Sequence, residues 1–387
     1  YVGADITDRT AHVRIEDGIF QSEAQALGRT MRIMSRMLPP SVETFHVTVE
    51  SNGLPLMTTT MSRTDLERLE YEKEDLALQA ASFSDSIRFG DVPEPKADVY
   101  PNFTWSVSPT LRFSAFDPEN PFRAELRSKA RANDDFGQGW LLNGAVSVRV
   151  LGNLGEIDRP VNSQLPFVRT TIAAYNYRFG PTIDQLTLTK LARIAPDVYG
   201  RASIGYFELM YAGVSGEVLW KPVDSRLALG VELNYVQLRE QDQRFGFASH
   251  TTPGGTIPHV NGHVSAYYEL NNGYQANVHA GRYLAGDWGA TFEFSREFNN
   301  GWQIGAFATF TDVSAEQFGE GSFDKGLFFR IPFSWIIGTE TKRGYSNIIR
   351  PVQRDGGQRV IVPNRLYDIV SEPHRANVAS SWGKFWK

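Results

Sequence analysis

Four cations fall on one face of one stretch. In PFRAELRSKARAN, Arg123, Arg127, Lys129 and Arg131 alternate with Phe122, Ala124, Leu126 and Ala130, and Glu125 is the one anion in the row. In a confined passage such a row attracts anions, so it reads as a lumen face for an acidic polysaccharide. The plainer reading is a solvated face, or pairing with Glu208, Glu217, Glu232 and Glu293. Asp287, Glu293, Glu320 and Asp324 could supply the two acids, roughly 5–10 Å apart, that sugar hydrolysis needs, but loop carboxylates are ordinarily just solvated. His259 and His263 have the spacing of a helical zinc pair. Pro258, Gly254, Gly255 and Gly262 argue against a helix there, and a strand would hold the rings about 13 Å apart. Gly-x-Ser-x-Gly, P-loop and dinucleotide motifs are absent. The expectation is therefore no enzyme, no catalytic residue, no cofactor and no metal. Inward aromatics such as Phe207, Tyr267 and Tyr283 could stack on sugars, core packing being their ordinary role.

The elements that would position these groups are strands. Across 199–335 nearly every segment alternates: Leu227, Leu229, Val231, Leu233 and Tyr235 point one way, Ala228, Gly230, Glu232 and Asn234 the other. Asn271-Asn272-Gly273 and Asn299-Asn300-Gly301 supply tight turns. A soluble sandwich would hide the apolar face and charge the other, whereas an outer-membrane barrel turns the apolar face to lipid. The second face here is rich in Gly, Ser and Asn, the runs approach the roughly 9–11 residues of a membrane strand, and aromatics cluster at strand ends. The pattern predicts a mainly β chain with an antiparallel transmembrane β-barrel of about 12–14 strands, an even number being the rule for such barrels. Insertions at 239–262 and 312–325 read as outer loops.

The chain has 387 residues, no Cys and net charge −5, which excludes disulfides and thiolate chemistry and disfavours a nucleic-acid partner. No apolar run approaches the roughly 18 residues of a membrane helix. Opening on Tyr1 without a signal peptide, the chain reads as mature, processed or part of a longer precursor. Residues 1–90 read as a small α/β periplasmic module. A helix from Ser22 carries Leu27, Met31, Met34 and Leu38 on one face, with Ser22 and Gln25 as a capping box, a hairpin turns at Ser51-Asn52-Gly53, and a second capped helix starts at Ser62 and Asp65. Residues 91–101 form a linker, 102–340 the barrel, and 341–387 a hairpin at Asp355-Gly356-Gly357 with a periplasmic or interfacial tail. VRTTIAAYNY fits a strand or a helix.

The runs YGRASIGYFELMYAGVSGEVLWKP, AGRYLAGDWGATFEFSREFNNGWQIGAFATFTDV and RDGGQRVIVPNRLYDIV, with SEAQALGRTMRIMSRMLPPSVETFHVTVE, resemble the YjbH family of Gram-negative outer-membrane exopolysaccharide proteins. The resemblance implies an outer-membrane barrel component of exopolysaccharide secretion or assembly, with its N-terminal module in the periplasm. The implied partners are polysaccharide, outer-membrane lipid, and periplasmic or lipoprotein components of the same system. It also implies that the chain matches the C-terminal part of longer members, an amino-terminal part being separate. The alternative is a cell-surface carbohydrate-binding or carbohydrate-active soluble β-protein.

Overall fold

The computed structural model describes residues 1–115, 122–155, 163–176, 180–319, 321–351 and 354–387. The N-terminal module is a five-stranded sheet of β1 (Gly3–Ile6), β2 (Thr10–Glu16), β3 (Thr44–Ser51), β4 (Leu54–Ser62) and β5 (Ser82–Asp85) in sequential order. Helix α1 (Glu23–Met37) crosses it, joining the parallel pair β2–β3, and α2 (Arg63–Arg68), α3 (Glu74–Ala80) and α4 (Ser86–Phe89) follow. Leu27, Met31 and Met34 are buried against Phe45, Val47 and Met57, as the helical stripe predicts. The β3–β4 turn has Asn52 at φ 53° and Gly53 at φ 70°, the left-handed conformation that Asn-Gly accepts. Ser62 caps α2 by accepting from the Asp65 amide. Ser22 does not cap α1; its hydroxyl instead bonds Ser381 Oγ at 2.8 Å, because the C-terminal tail packs there.

Among the described residues the second sheet has thirteen antiparallel strands. They are β6 (Asn102–Ala115), β7 (Phe122–Asp135), β8 (Trp140–Gly152), β9 (Thr182–Ala195), β10 (Val198–Tyr206), β11 (Tyr211–Trp220) and β12 (Leu227–Leu238), then β15 (Val260–Glu269), β16 (Tyr274–Arg282), β17 (Trp288–Glu297), β18 (Gln303–Thr311), β19 (Asp324–Pro332) and β20 (Gly344–Ile349). Each pairs with its neighbour in chain order, except that a minimal ladder of β13 (Thr251–Thr252) and β14 (Gly255–Thr256) interrupts between β12 and β15. Among the described residues no ladder joins β6 to β20, yet the Tyr345 hydroxyl of β20 lies 3.5 Å from the Leu111 carbonyl of β6. Short turns such as 221–226 and 270–273 gather at one end of the sheet. The connection 239–259 and the described parts of those after β8 and β18 lie at the other, carrying α5 (Ile172–Asn176) and α6 (Ala315–Phe318), together with the short connections 207–210 and 283–287. VRTTIAAYNY thus contributes a short helix.

The burial polarity of this sheet is inverted. On β12, Leu229, Val231, Leu233 and Tyr235 are exposed while Glu232 and Asn234 are buried, and the same alternation places Val214, Val264, Phe292 and Phe294 outward and Ser215, His263, Thr291 and Ser295 inward. The outward face is apolar, and the inward face is mostly polar, with apolar residues such as Leu191, Leu219 and Tyr267 toward the short-turn end.

Among the described residues no hairpin forms at Asp355, Gly356 and Gly357. After β19, helix α7 (Phe333–Ile337) and β20, residues 354–370 run down the inner side of the sheet from the long-loop end to the short-turn end, closing with α8 (Leu366–Val370). They touch the inner faces of strands as far apart as β8, β12, β15 and β19, so the sheet curls around them. Beyond α8 the chain leaves at the short-turn end, where α9 (Arg375–Ser380) and residues 381–387 pack on the module: Val378, Trp382 and Phe385 join the α1 core.

Candidate functional site

The densest polar constellation lies where the tail meets the inner face. A strand at period two sends every second residue inward, which delivers Glu217 from β11, Glu232 from β12, His263 from β15 and Glu293 from β17 to one interior. The Arg365 guanidinium of the tail grips Glu232 with both branches, Nε to Oε2 at 2.8 Å and Nη2 to Oε1 at 3.0 Å, a fork-to-fork pairing that fixes orientation as well as charge. Arg201 of β10 bridges Glu217 and Glu232 at 2.8 and 3.3 Å. The Leu366 amide donates to Glu217 at 3.1 Å, and the Tyr367 hydroxyl donates to Glu269 at 3.1 Å, where Lys221 also sits at 2.9 Å. Tyr367 stacks flat on Tyr267, ring centroids 3.9 Å apart and 5° from parallel.

Toward the long-loop end the same logic repeats. Glu208, held by Arg169 at 2.7 Å, accepts from the Ile361 amide at 3.0 Å, and Asp287 accepts from the Gly357 amide at 2.7 Å. Asp355 turns its carboxylate onto the amides of Val168, Arg169 and Thr170 at 2.8–2.9 Å, pinning the inturned loop to the tail. Apolar seals close both ends: Val360 and Val362 with Val168, Phe207 and Leu284 at one, Leu366, Tyr367 and Val370 with Leu54, Leu56 and Tyr199 at the other. Hydrogen bonds and apolar contacts thus alternate along the tail.

The row expected to favour anions stays on β7. Arg127 is buried and bonds Glu125 at 2.9 Å, Ser147 at 2.9 Å and Thr182 at 2.8 Å, while Lys129 pairs with Asp184 at 2.8 Å beside Arg112. Arg131 is exposed and donates to Ser108 at 3.2 Å; Arg123 is buried. Of the carboxylates considered for hydrolysis, Asp324 pairs with Arg350 at 3.2 Å and Glu293 with His279 at 3.6 Å, Asp287 serves the tail, and Glu320 lies outside the described residues. Asp287 and Asp324 both lie against Gly357 of the tail. His250, not His263, stacks on His259, centroids 3.9 Å apart. Sequence reading offered Glu208, Glu217, Glu232 and Glu293 as interior partners of the β7 cations; Arg127 and Lys129 pair instead with Glu125 and Asp184, and it is the tail, which that reading missed, that meets Glu208, Glu217 and Glu232. The signal available was RVIVPNRLYDIV, whose Arg365 and Tyr367 are of the types that bind carboxylates.

Residues 2–372 match the family described as exopolysaccharide biosynthesis protein YbjH, which covers nearly the whole chain. The chain belongs to the YjbH family. Within it, the chain is 28% identical over 376 residues to a protein described as uncharacterized lipoprotein YjbH from Escherichia coli (strain K12), covering 94% of this chain and 52% of that relative. This YjbH-family chain therefore spans about half the length of that relative. No solved structure matches it.

Proposed function

We propose that this chain is an outer-membrane β-barrel component of exopolysaccharide secretion or assembly, acting as a conduit and not by catalysis, with its α/β module in the periplasm. One observation carries the reading: the thirteen-stranded sheet turns Leu229, Val231, Leu233 and Val264 outward and Glu232, His263 and Ser265 inward. In water that arrangement forgoes the burial of dozens of apolar side chains; in a bilayer the same outward face is where apolar groups belong. No helix among the described residues is long and apolar enough to cross a membrane, so strands are the means of crossing.

Two further features support it. An open sheet edge is not tolerated in hydrocarbon, and the Tyr345 hydroxyl of one edge strand reaching the Leu111 carbonyl of the other at 3.5 Å supports closure. With thirteen strands, closure there would be by a parallel seam, an odd-stranded solution known among membrane barrels. The longest fully described connection of the sheet, 239–259, lies at the end opposite the module and the turns 221–226 and 270–273, an arrangement that supports an outer-membrane barrel whose longer loops face outward. The module then lies in the periplasm, placed to meet other envelope components, and the lipoprotein description of the Escherichia coli relative fits an envelope address. The test is extraction and gel mobility: the protein partitions into membranes, needs detergent, and migrates differently unheated and heated. A protein monodisperse without detergent overturns the reading.

A further inference from the structure

The segment that fills the interior is bound as a sugar chain would be. Residues 357–367 present hydrogen-bond donors (the amides of Gly357, Ile361 and Leu366, the Arg365 guanidinium and the Tyr367 hydroxyl) to a succession of carboxylates on the wall: Asp287, Glu208, Glu232, Glu217 and Glu269. The Tyr367 ring covers the face of Tyr267, where a sugar ring would stack through its C–H groups. Beside this succession lie groups the tail leaves unused: both ring nitrogens of His263 and Oε2 of Glu269 are buried, 3% and 6% exposed by residue, with no hydrogen-bond partner among the described residues. His263 stands directly across from Glu232 in the β12–β15 ladder. A buried polar atom without a partner calls for a missing one.

We propose that residues 355–370 are an internal stand-in occupying a glycan track, and that the track takes a hydroxyl-rich neutral or amino-sugar polysaccharide and rejects a polyanion. The inference rests on the export reading above and names its substrate class. Carboxylates accept from sugar hydroxyls and from ammonium groups in charge-assisted hydrogen bonds and repel acidic sugars. The cations that could have reversed this preference are engaged in the wall: Arg127 with Glu125, Lys129 with Asp184, Arg201 with Glu217 and Glu232, and Lys221 with Glu269. Displacing the tail removes Arg359 and Arg365 from the interior, frees the second oxygens of Glu232 and Glu269 and the Asp287 carboxylate to accept from a ligand while Arg169, Arg201 and Lys221 stay on the wall, and uncovers the Tyr267 face.

The test uses the full chain in detergent micelles, with chitosan hexamer and oligogalacturonate as probes. In Arg365→Ala/Tyr367→Ala the wall is intact and the tail is loosened; chitosan hexamer then binds at least tenfold more tightly than to the unaltered chain, and oligogalacturonate gains nothing. Equal gains for both probes, or a larger gain for the acid, overturn the proposal. A second variant covers the case in which that chain fails to fold. Asn364 and Asn143 are hydrogen-bonded at 2.9 Å and the chain has no cysteine of its own, so Asn143→Cys/Asn364→Cys locks the tail when oxidised. Chitosan binding confined to the reduced form supports the proposal; binding unchanged by oxidation overturns it. Solubility without detergent sinks the export reading itself, a result separable from a membrane-embedded protein that binds the wrong glycan.

Discussion

Replacing Val231 by Arg separates a lipid-facing wall from a water-facing one by magnitude. Val231 lies midway along β12, 55% exposed, directly between Val218 and Val264, themselves 47% and 59% exposed. The strand has twelve residues; at about 3.4 Å each and about 40° of tilt it rises about 30 Å, so its centre falls near the middle of a hydrocarbon core of that thickness. On a water-facing sheet, Arg at so open a position costs under about 1 kcal/mol, since nothing is buried and only strand propensity is lost. At a bilayer midplane it costs about 2–4 kcal/mol, a change of about thirty- to a thousandfold in the folding equilibrium. Tyr268→Arg is the internal control: Tyr268 is outward, paired with Leu227 at the short-turn end, where the penalty falls to about 0–1 kcal/mol. The assay is reversible urea unfolding in phospholipid vesicles, followed by tryptophan fluorescence and gel mobility. Equal, small costs at both positions would refute the argument, because depth dependence has no origin outside a bilayer.

Three other outcomes follow from the geometry. Arg127→Gln/Lys129→Gln destabilises the protein by about 3–5 kcal/mol in chemical denaturation, since Glu125 and Asp184 are left buried without their nearest cations, and it leaves the ion preference of reconstituted protein unchanged. Phe385→Ala costs about 3–5 kcal/mol, and a fragment of residues 1–90 melts less cooperatively than the module does in the full chain, because Trp382 and Phe385 complete the α1 core and Gly28 packs on the Phe385 backbone. Burial pushes Glu23 up to about 7, against the pull of the Lys342 ammonium at 2.5 Å and with Asp17 and Glu372 adding repulsion. The folded protein then holds a proton that the unfolded chain has released above its ordinary value of 4.5, so this contribution, on the order of 3 kcal/mol, is complete below that value and is lost as pH rises through about 7. Melts at pH 5 and pH 8 differ more for the unaltered protein than for Glu23→Gln; no difference between the two proteins contradicts the assignment.

What was legible in the sequence was whatever obeys a short period. The alternation through Leu229, Val231 and Leu233 was sufficient for strand β12 and its two faces, and Leu27, Met31 and Met34 were sufficient for α1, because each rests on neighbours within one turn or one pleat. The charged row at Arg127 and Lys129 was legible as a face but not as a set of pairs. Its partner Asp184 comes from β9, 55 residues beyond Lys129, and register across a sheet is a tertiary fact. The tail was least legible. RVIVPNRLYDIV has neither a sustained strand period nor a long helical one, and it is ordered by the carboxylates it meets, Glu208, Glu217, Glu232 and Glu269, more than 95 residues away in sequence. Ser22 shows the same override on a small scale: the capping pattern was present, but a hydroxyl of the tail competed for it.

The most direct test of the membrane wall is accessibility along β12. Single cysteines placed in turn at positions 229 to 235 of this cysteine-free chain, spin-labelled in phospholipid vesicles, report contact with lipid-dissolved oxygen and with a water-soluble nickel chelate. The account predicts strong oxygen contact at positions 229, 231, 233 and 235, weak contact with either reagent at 230, 232 and 234, and an oxygen maximum near 231 to 233. Strong nickel contact at 229, 231, 233 and 235, with oxygen contact no greater than at the alternate positions, would contradict it.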